Sequence, residues 1–166
     1  MKHSSSRSLH LLHEHRPRYD AWLKLILGGT LAFTLALGIT LLPVDMLGAQ
    51  IVFGVTLFDA LIFHAVLPRR YQIFEDRMRI ILGYPFAVTI HFSTIKKAKQ
   101  TSGSKALVCW GIRFATSTKG VVEIIRYKGL KLVISPHDAG TFLENLNQAL
   151  RSFENYHLDK TSLQKS

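Results

Sequence analysis

The fold is decided by residues 25–68, which read LILGGTLAFTLALGITLLPVDMLGAQIVFGVTLFDALIFHAVLP. Residues 25–44 carry no charge, and residues 46–67 carry a single charge, on Asp59. Twenty apolar residues in a helix rise about 30 Å, which is the thickness of the hydrocarbon core of a bilayer. The stretch therefore predicts two transmembrane helices, at about residues 21–43 and 46–67.

The connection between the two predicted helices is short. Only Pro43-Val44-Asp45 separates them, so the helices should form an antiparallel hairpin, and Pro68 should end the second helix because its ring cannot continue one. A secretory signal followed by a buried core helix is the competing interpretation. The first apolar run is longer than the ~7–15 residues of a signal core, which favours two spans over residues 21–68.

Positive charge flanks both outer ends of the hairpin and is absent from its turn. The flanking cations are Arg7, Arg16, Arg18 and Lys24 before the first span, and Arg69 and Arg70 after the second. Because Lys and Arg near membrane spans concentrate on the cytoplasmic side, both termini are predicted to be cytoplasmic. The expected location is the cell membrane.

Small and polar residues inside the spans predict how the helices pair. Gly28, Ala32 and Ala36 recur every four residues, and such stripes allow close helix–helix approach in lipid. Asp59 is ionisable, and a charge at the bilayer centre costs about 2.5–3.5 kcal/mol on insertion scales unless it is paired. Its expected partners are Thr30, Lys24 and His64. Contact with another membrane protein, or a proton or ion relay, is the functional alternative.

Residues 69–131 are strongly basic. They hold thirteen Lys and Arg against three acidic residues, and this excess of ten equals the net charge of the whole chain. Short runs rich in β-branched and aromatic residues, separated by Gly and Pro, predict an antiparallel meander curled into a sandwich or barrel. The predicted strands are 71–74, 78–82, 86–92, 106–114, 121–127 and 130–134.

A C-terminal amphipathic helix should follow the strands. Ser135 is the predicted N-cap, with Pro136 in the first turn and Asp138 at the capping-box position. The apolar stripe expected to close the open end of the sheets comprises Phe142, Leu146, Ala149, Leu150 and Phe153. The polar residues 156–166 are predicted to be a disordered tail.

These elements resemble the bacterial pleckstrin-homology-like (PH-like) domain. Residues 71–80 look like the opening of such domains, with an aromatic residue, an alternating strand, an acidic turn and a second strand. Residues 90–95 resemble the family's Ile…Ser…Ile connection, and residues 134–146 are similar to its closing strand–helix junction. The resemblance implies a membrane-anchored α+β protein with a PH-like domain over residues 69–155. It implies a binding role rather than a reaction.

Patterns typical of catalysis are absent from the sequence. We find no HExxH, nucleophile elbow or phosphate-binding glycine loop, and a helix cap explains His137-Asp138. Cys109 is the only cysteine, which excludes an internal disulfide. No nucleic-acid-binding motif is visible. We therefore predict neither an enzyme, nor a cofactor, nor a nucleic-acid partner.

Residues 1–20 form a basic, histidine-rich segment. His10, His13 and His15, with His3 upstream, have a feasible spacing for a metal but no fixed scaffold. An interfacial helix or disorder are the alternatives. No metal is predicted.

The basic charge is the strongest functional signal left. Near an anionic leaflet each Lys or Arg contributes about 1 kcal/mol of attraction, whereas a solvated basic surface is the structural alternative. The predicted anion-facing residues are Lys96, Lys97, Lys99, Lys105, Arg69 and Arg70. The expected function is a membrane-anchored scaffold that binds a protein partner or itself. Direct reading of anionic lipid headgroups is the alternative.

Overall fold

The structure is a computed structural model that describes residues 10–101 and 111–163. Two apolar helices precede two four-stranded sheets, whose strand orders are β1-β2-β3-β4 and β5-β7-β8-β6, and a long helix ends the chain. The elements are β1 (Leu11–His15), α1 (Ala21–Leu41), α2 (Met46–Val66), β2 (Arg70–Phe74), β3 (Arg77–Ile81), β4 (Ala87–His91), a 3-10 turn (Phe92–Thr94), β5 (Ile95–Thr101), β6 (Gly111–Phe114), β7 (Val121–Arg126), β8 (Lys131–Ile134) and α3 (Ala139–Leu163).

The helices α1 and α2 form the predicted hairpin. Each has 21 residues and is long and apolar enough to cross a membrane. Among the residues of these two helices, all of which the structure describes, only Gly38 and Ala49 are buried. A core helix of a soluble protein buries its apolar face, so this exposure is what a lipid-facing pair would show.

The hairpin helices pack through a different face from the predicted one. Gly38 is buried, and a Cβ built on it would lie 2.6 Å from the Phe53 ring. Gly28, Ala32 and Ala36 are exposed, and a Cβ on Gly28 would meet nothing within 4 Å. The predicted stripe was therefore wrong. A spacing of four residues defines a stripe on a helix but does not say which stripe faces the neighbouring helix.

The two sheets and α3 enclose one apolar core, as the PH-like fold requires. The largest fully buried side chains of this core are Tyr71, Ile73, Met78, Ile80, Ile90, Ile124, Leu132, Ile134, Phe142 and Leu146. The sheets form a sandwich and do not close into a barrel. The strands predicted at 71–74, 78–82, 86–92, 121–127 and 130–134 are confirmed as β2, β3, β4, β7 and β8.

The second sheet departs from a simple antiparallel meander. Strand β6 pairs with β8 in parallel, and β7 lies between β5 and β8. Strand β5 was also missed, because Ile95 and Ala98 both face inward across an irregularity in its pairing with β7. That irregularity breaks the two-residue period by which strands are recognised.

The segment before the hairpin forms part of the sandwich. Strand β1 pairs antiparallel with β2, with Glu14 opposite Gln72 and His15 opposite Tyr71. The chain therefore leaves the first sheet, makes the helical hairpin, and returns as the neighbouring strand. Neither an interfacial helix nor disorder describes residues 11–15. The strand was missed because Leu11 and Leu12 are adjacent, so the sequence shows no alternation of apolar and polar residues there.

The start and end of α3 also differ from the prediction. Asp138 caps the helix, since its Oδ1 accepts a hydrogen bond from the Thr141 amide at 3.1 Å. Ser135 is instead fully buried, and its Oγ accepts from the Thr116 amide at 2.8 Å. The helix continues through most of the predicted disordered tail to Leu163. Whether a residue caps a helix therefore depends on its contacts with distant residues as well as on the local sequence.

Candidate functional site

The sandwich has a hairpin end, where β2 starts beside α2, and an opposite far end. The far end holds the β2–β3 turn, because the Phe92 amide donates to the Asp76 carbonyl at 2.9 Å. The β7–β8 turn joins it there, since the Tyr127 amide donates to the Thr94 carbonyl at 2.9 Å. Candidate residues can be assigned to one end or the other by these contacts.

Asp20 ties the start of α1 to the loop between β6 and β7. Its carboxylate accepts hydrogen bonds from Ser117 Oγ at 2.6 Å, Thr118 N at 2.8 Å and Thr118 Oγ1 at 3.1 Å. Trp22 Nε1 donates to it at 3.2 Å. These bonds, led by that from Ser117, lower the pKa of Asp20 to about 2. The carboxylate is therefore ionised at neutral pH, and we call its hydrogen bonds to Ser117 and Thr118 the Asp20 latch.

Further contacts join the sandwich to the end of α2. The Tyr19 hydroxyl donates to the carbonyl of Pro68, directly after the helix. Gly83, in the β3–β4 turn, packs so closely on the His64 carbonyl that no Cβ fits there. The sandwich is thus fastened to both helices of the hairpin.

The residues predicted as partners of Asp59 make other contacts or are exposed. Thr30 Oγ1 donates to the Ile26 carbonyl at 2.8 Å, so its proton is not available to Asp59. Bonding to the carbonyl one turn back is a common way to satisfy a helical hydroxyl. His64 Nδ1 lies 3.0 Å from Arg69 Nη2. Lys24 is exposed, and Asp59 is partly exposed.

The predicted anion-facing residues do not form one patch. Arg69 and Arg70 lie at the hairpin end, where Arg69 contacts His64 and Arg70 forms an ion pair with Glu14 at 3.1 Å. Lys99 forms an ion pair with Glu123 at 3.1 Å. Lys105 lies outside the described residues.

Lys96 and Lys97 contribute instead to an exposed surface at the far end. Lys97, on β5, is paired with Ile125, which lies near the end of β7 and just before the β7–β8 turn. In that turn Tyr127 is 66% exposed and Leu130 is 55% exposed. We define the far patch as Lys96, Lys97, Tyr127, Lys128 and Leu130. The sequence predicted Lys96 and Lys97 as site residues but not the members from the β7–β8 turn, because only the pairing of β5 with β7 brings the two segments together.

Two histidines of the N-terminal segment, His13 and His15, make ring contacts. The rings of His13 and His15 lie 6.4 Å apart between centroids, and that of His15 meets the Phe142 ring at 5.1 Å. Asn145 Nδ2 lies 3.2 Å from His15 Nε2. Burial, then the neighbouring His13, lowers the pKa of His15, while Asp138 opposes the shift. Within residues 10–101 and 111–163 no three His, Cys, Asp or Glu side chains could hold a metal. His3 and Cys109 lie outside them.

Comparison with known proteins supports the architecture. A family model for the bacterial PH domain matches residues 69–149, from just before β2 to the second half of the core face of α3. That family is generally non-catalytic. No curated protein and no solved structure matches the chain. Residues 69–149, which are preceded by two apolar helices, are therefore a bacterial PH domain.

Proposed function

We propose that this chain is a non-catalytic, membrane-anchored binding module. The helices α1 and α2 cross the cell membrane and hold the PH-like sandwich at its cytoplasmic surface. The far patch faces away from the membrane and binds a protein partner with an acidic surface, or a second copy of the chain.

One observation carries this proposal: β1 and β2, which flank the hairpin in sequence, pair with each other in one sheet. Such pairing requires both outer ends of the hairpin to be on the same side of the membrane. The cations beside those ends, including Lys24 and Arg69, make that side the cytoplasm. The chain joins the sandwich to the hairpin twice, before α1 and after α2, and the Asp20 latch adds a third attachment. These attachments restrict rotation of the sandwich, so the far patch has a defined direction.

The chemistry of the far patch suits a protein partner. Exposed aromatic residues are enriched in protein interfaces, and an excess of lysine steers an acidic surface towards it. Tyr127 and Leu130 supply apolar contact area, and Lys96, Lys97 and Lys128 supply positive charge. None of these side chains is needed to fill the core.

The strand pairing can be tested by disulfide trapping in isolated membranes. Glu14 and Gln72 are direct cross-strand partners, so Glu14→Cys with Gln72→Cys should oxidise readily in a Cys109→Ser background. Glu14→Cys with Arg79→Cys is the matched control. Arg79 is the partner of Gln72 on β3, two strands from Glu14 at ~9–10 Å, beyond the ~7 Å reach of a disulfide. Equal oxidation of both pairs, or of neither, would contradict the proposal.

Partner binding can be tested with a photo-crosslinking residue in place of Tyr127. We expect one discrete crosslinked species in cells, at twice the chain mass if the partner is a second copy. Lys96→Glu with Lys97→Glu should abolish it, whereas Lys119→Glu, an exposed lysine in the β6–β7 loop beside the hairpin, should not. Crosslinking that is diffuse, or unaffected by the far-patch reversal, would count against this function.

Reading of anionic headgroups remains a second candidate, favoured by a different set of cations. Lys24, Arg69 and Lys119 are exposed and belong to the hairpin end. In vesicles, an anionic lipid should raise the melting temperature of the full chain in low salt, and Lys119→Glu should reduce this gain. Lys96→Glu with Lys97→Glu should leave it unchanged. A gain that ignores salt and Lys119→Glu would exclude headgroup reading.

A further inference from the structure

The β3–β4 turn exposes two aromatic side chains that the core does not use. Tyr84 is 89% exposed and Phe86 is 54% exposed. The turn itself is ordered by hydrogen bonds, from the Phe86 amide to the Gly83 carbonyl at 2.8 Å and from the Leu82 amide to the Phe86 carbonyl at 3.1 Å. The turn therefore holds two large rings in the open on a constrained backbone.

The position of the turn relative to the hairpin is set by Gly83. A Cβ on Gly83 would overlap the His64 carbonyl and lie 3.0 Å from the Ala65 Cα, so the turn rests directly on the last turn of α2. The next residue of α2, Val66, is itself 57% exposed. The aromatic turn is thus continuous with the exposed apolar surface of the helices.

Other residues at the same end have the composition of a membrane interface. Trp22, in the first turn of α1, is 51% exposed, and Lys24 is also exposed. Arg69 follows α2 and is exposed as well. Aromatic rings combined with cations at the ends of apolar helices are typical of the headgroup region, where a ring can bury its face and keep its polar edge wet.

We infer that the β3–β4 turn is a membrane-interface anchor, in which Tyr84 and Phe86 insert into the headgroup region of the phospholipid leaflet that surrounds α1 and α2. This rests on the membrane embedding proposed above and adds a contact from the folded domain itself. With the attachments before α1 and after α2, it gives the sandwich a third point on the membrane and so fixes its tilt.

The test uses single-tryptophan variants of the full chain in phospholipid vesicles. Tyr84→Trp is made in a Trp22→Phe, Trp110→Phe background, and emission is recorded with ordinary lipids and with lipids brominated high on the acyl chain. Tyr127→Trp in the same background is the matched control, because Tyr127 is an exposed tyrosine at the far end. The Trp110→Phe variant, which keeps Trp22, reports the response of a residue in α1.

We expect blue-shifted emission from the Tyr84→Trp variant and clear quenching by the brominated lipid. The Tyr127→Trp variant should not be quenched by the brominated lipid, because the far end lies away from the membrane. Phe86→Trp should repeat the first result if Tyr84→Trp disturbs the turn. Blue-shifted but unquenched emission from both turn variants would mean that protein, not lipid, covers the turn. Emission as in water would mean that the turn is exposed to solvent. Either result overturns the inference.

Failure of the anchor can be separated from failure of the proposed function. Vesicles are washed with alkaline carbonate before the measurement, which removes proteins that only adhere. If the chain is washed off, or if Trp22 is not quenched, membrane embedding itself is wrong. If the chain stays and Trp22 is quenched while the turn variants are not, only the interface anchor is wrong.

Discussion

Glu123 shows how a single buried charge is kept in this sandwich. Its side chain is 3% exposed, and the Nζ atoms of Lys99 and Lys131 lie 3.1 and 3.0 Å from its oxygens. Burial acts to raise the pKa of Glu123, but hydrogen bonds from Lys131 and Lys99 outweigh it and lower the pKa below its usual value. Both lysine side chains are about half exposed, so the buried carboxylate is neutralised from the surface.

We predict that Lys99→Met with Lys131→Met destabilises the protein more than either change alone. The cost should lie at the lower end of the ~3–5 kcal/mol for breaking a buried pair, because both lysines are half exposed. In the wild type, stability from Glu123 is present above pH 4.5 and lost as pH falls through the lowered folded pKa. In the double variant burial alone acts, so acidification should relieve the defect. Unfolding free energies against pH would refute this if the two profiles were parallel.

His15 should make the attachment of β1 sensitive to pH. Its folded pKa lies below the unfolded value of 6.5, so the folded state binds the proton less tightly. Stability from this contact is complete above pH 6.5 and is lost as pH falls from there towards the folded pKa. Hydrogen exchange of the β1 amides, corrected for the intrinsic rate, should speed up across this range. His15→Leu should remove the effect and His10→Leu, a change at an exposed histidine, should not.

At the scale of elements, one stripe of each helix decides what it packs against. The hairpin contact at Gly38 leaves space for the Phe53 ring, while Gly28 points away from α2. In the same way α3 places Phe142 in the core, with its ring 6.0 Å from that of Tyr71, and leaves Leu158 exposed. These pairs offer a matched substitution on each helix.

Gly38→Val should weaken the hairpin, and Gly28→Val should be tolerated. The valine at position 38 would overlap the Phe53 ring, and overpacking costs about 1–3 kcal/mol. The same side chain at position 28 meets open space. Thermal unfolding in detergent micelles measures both. Equal melting temperatures would show that the helices pack through another face.

Phe142→Ala should destabilise the sandwich by about 3–5 kcal/mol, as expected when a buried phenylalanine leaves a cavity. Its loss removes ring contacts to both Tyr71 and His15, so β1 should be released as well. Leu158→Ala, on the exposed part of the same helix, should change the unfolding free energy by less than about 0.5 kcal/mol. Similar losses for both variants would mean that α3 does not plug the sandwich.

At the scale of the whole molecule, the hairpin is an insertion into a sheet. Strand β1 ends at His15 and β2 begins at Arg70, and the two strands are neighbours. The sandwich therefore holds the outer ends of both helices together, and the Asp20 latch and the Gly83 contact hold it against them. Orientation of the domain is a property of the complete chain and would be lost in a fragment that starts at residue 69.

The topology predicts the outcome of reporter fusions. A fluorescent protein after Ser166 should fluoresce, and alkaline phosphatase there should be inactive, because the C-terminus is proposed to be cytoplasmic. Alkaline phosphatase inserted after Val44, in the hairpin turn, should be active. Arg69→Glu with Arg70→Glu should weaken this asymmetry by removing flanking positive charge. Phosphatase activity at the C-terminus of the unaltered chain would invalidate the orientation.

Features that depend on composition along one element were determined by the sequence itself. The lengths of α1 and α2 follow from long, mostly apolar runs, and strands β2, β3 and β8 follow from short runs rich in apolar residues. The PH-like plan could be recognised because strands, acidic turn and final helix occur in a fixed order. Each of these is read from residues close together in the chain.

Only the tertiary structure decided which surfaces meet. Strand β1 finds β2 across the whole hairpin, Ser135 is drawn into a buried hydrogen bond instead of capping α3, and Gly38 rather than Gly28 faces α2. The far patch likewise exists because β5 pairs with β7. The physical reason is that hydrophobic periodicity reports that a face is buried but is non-directional, so the neighbour that buries it is selected by packing and hydrogen bonds between distant segments.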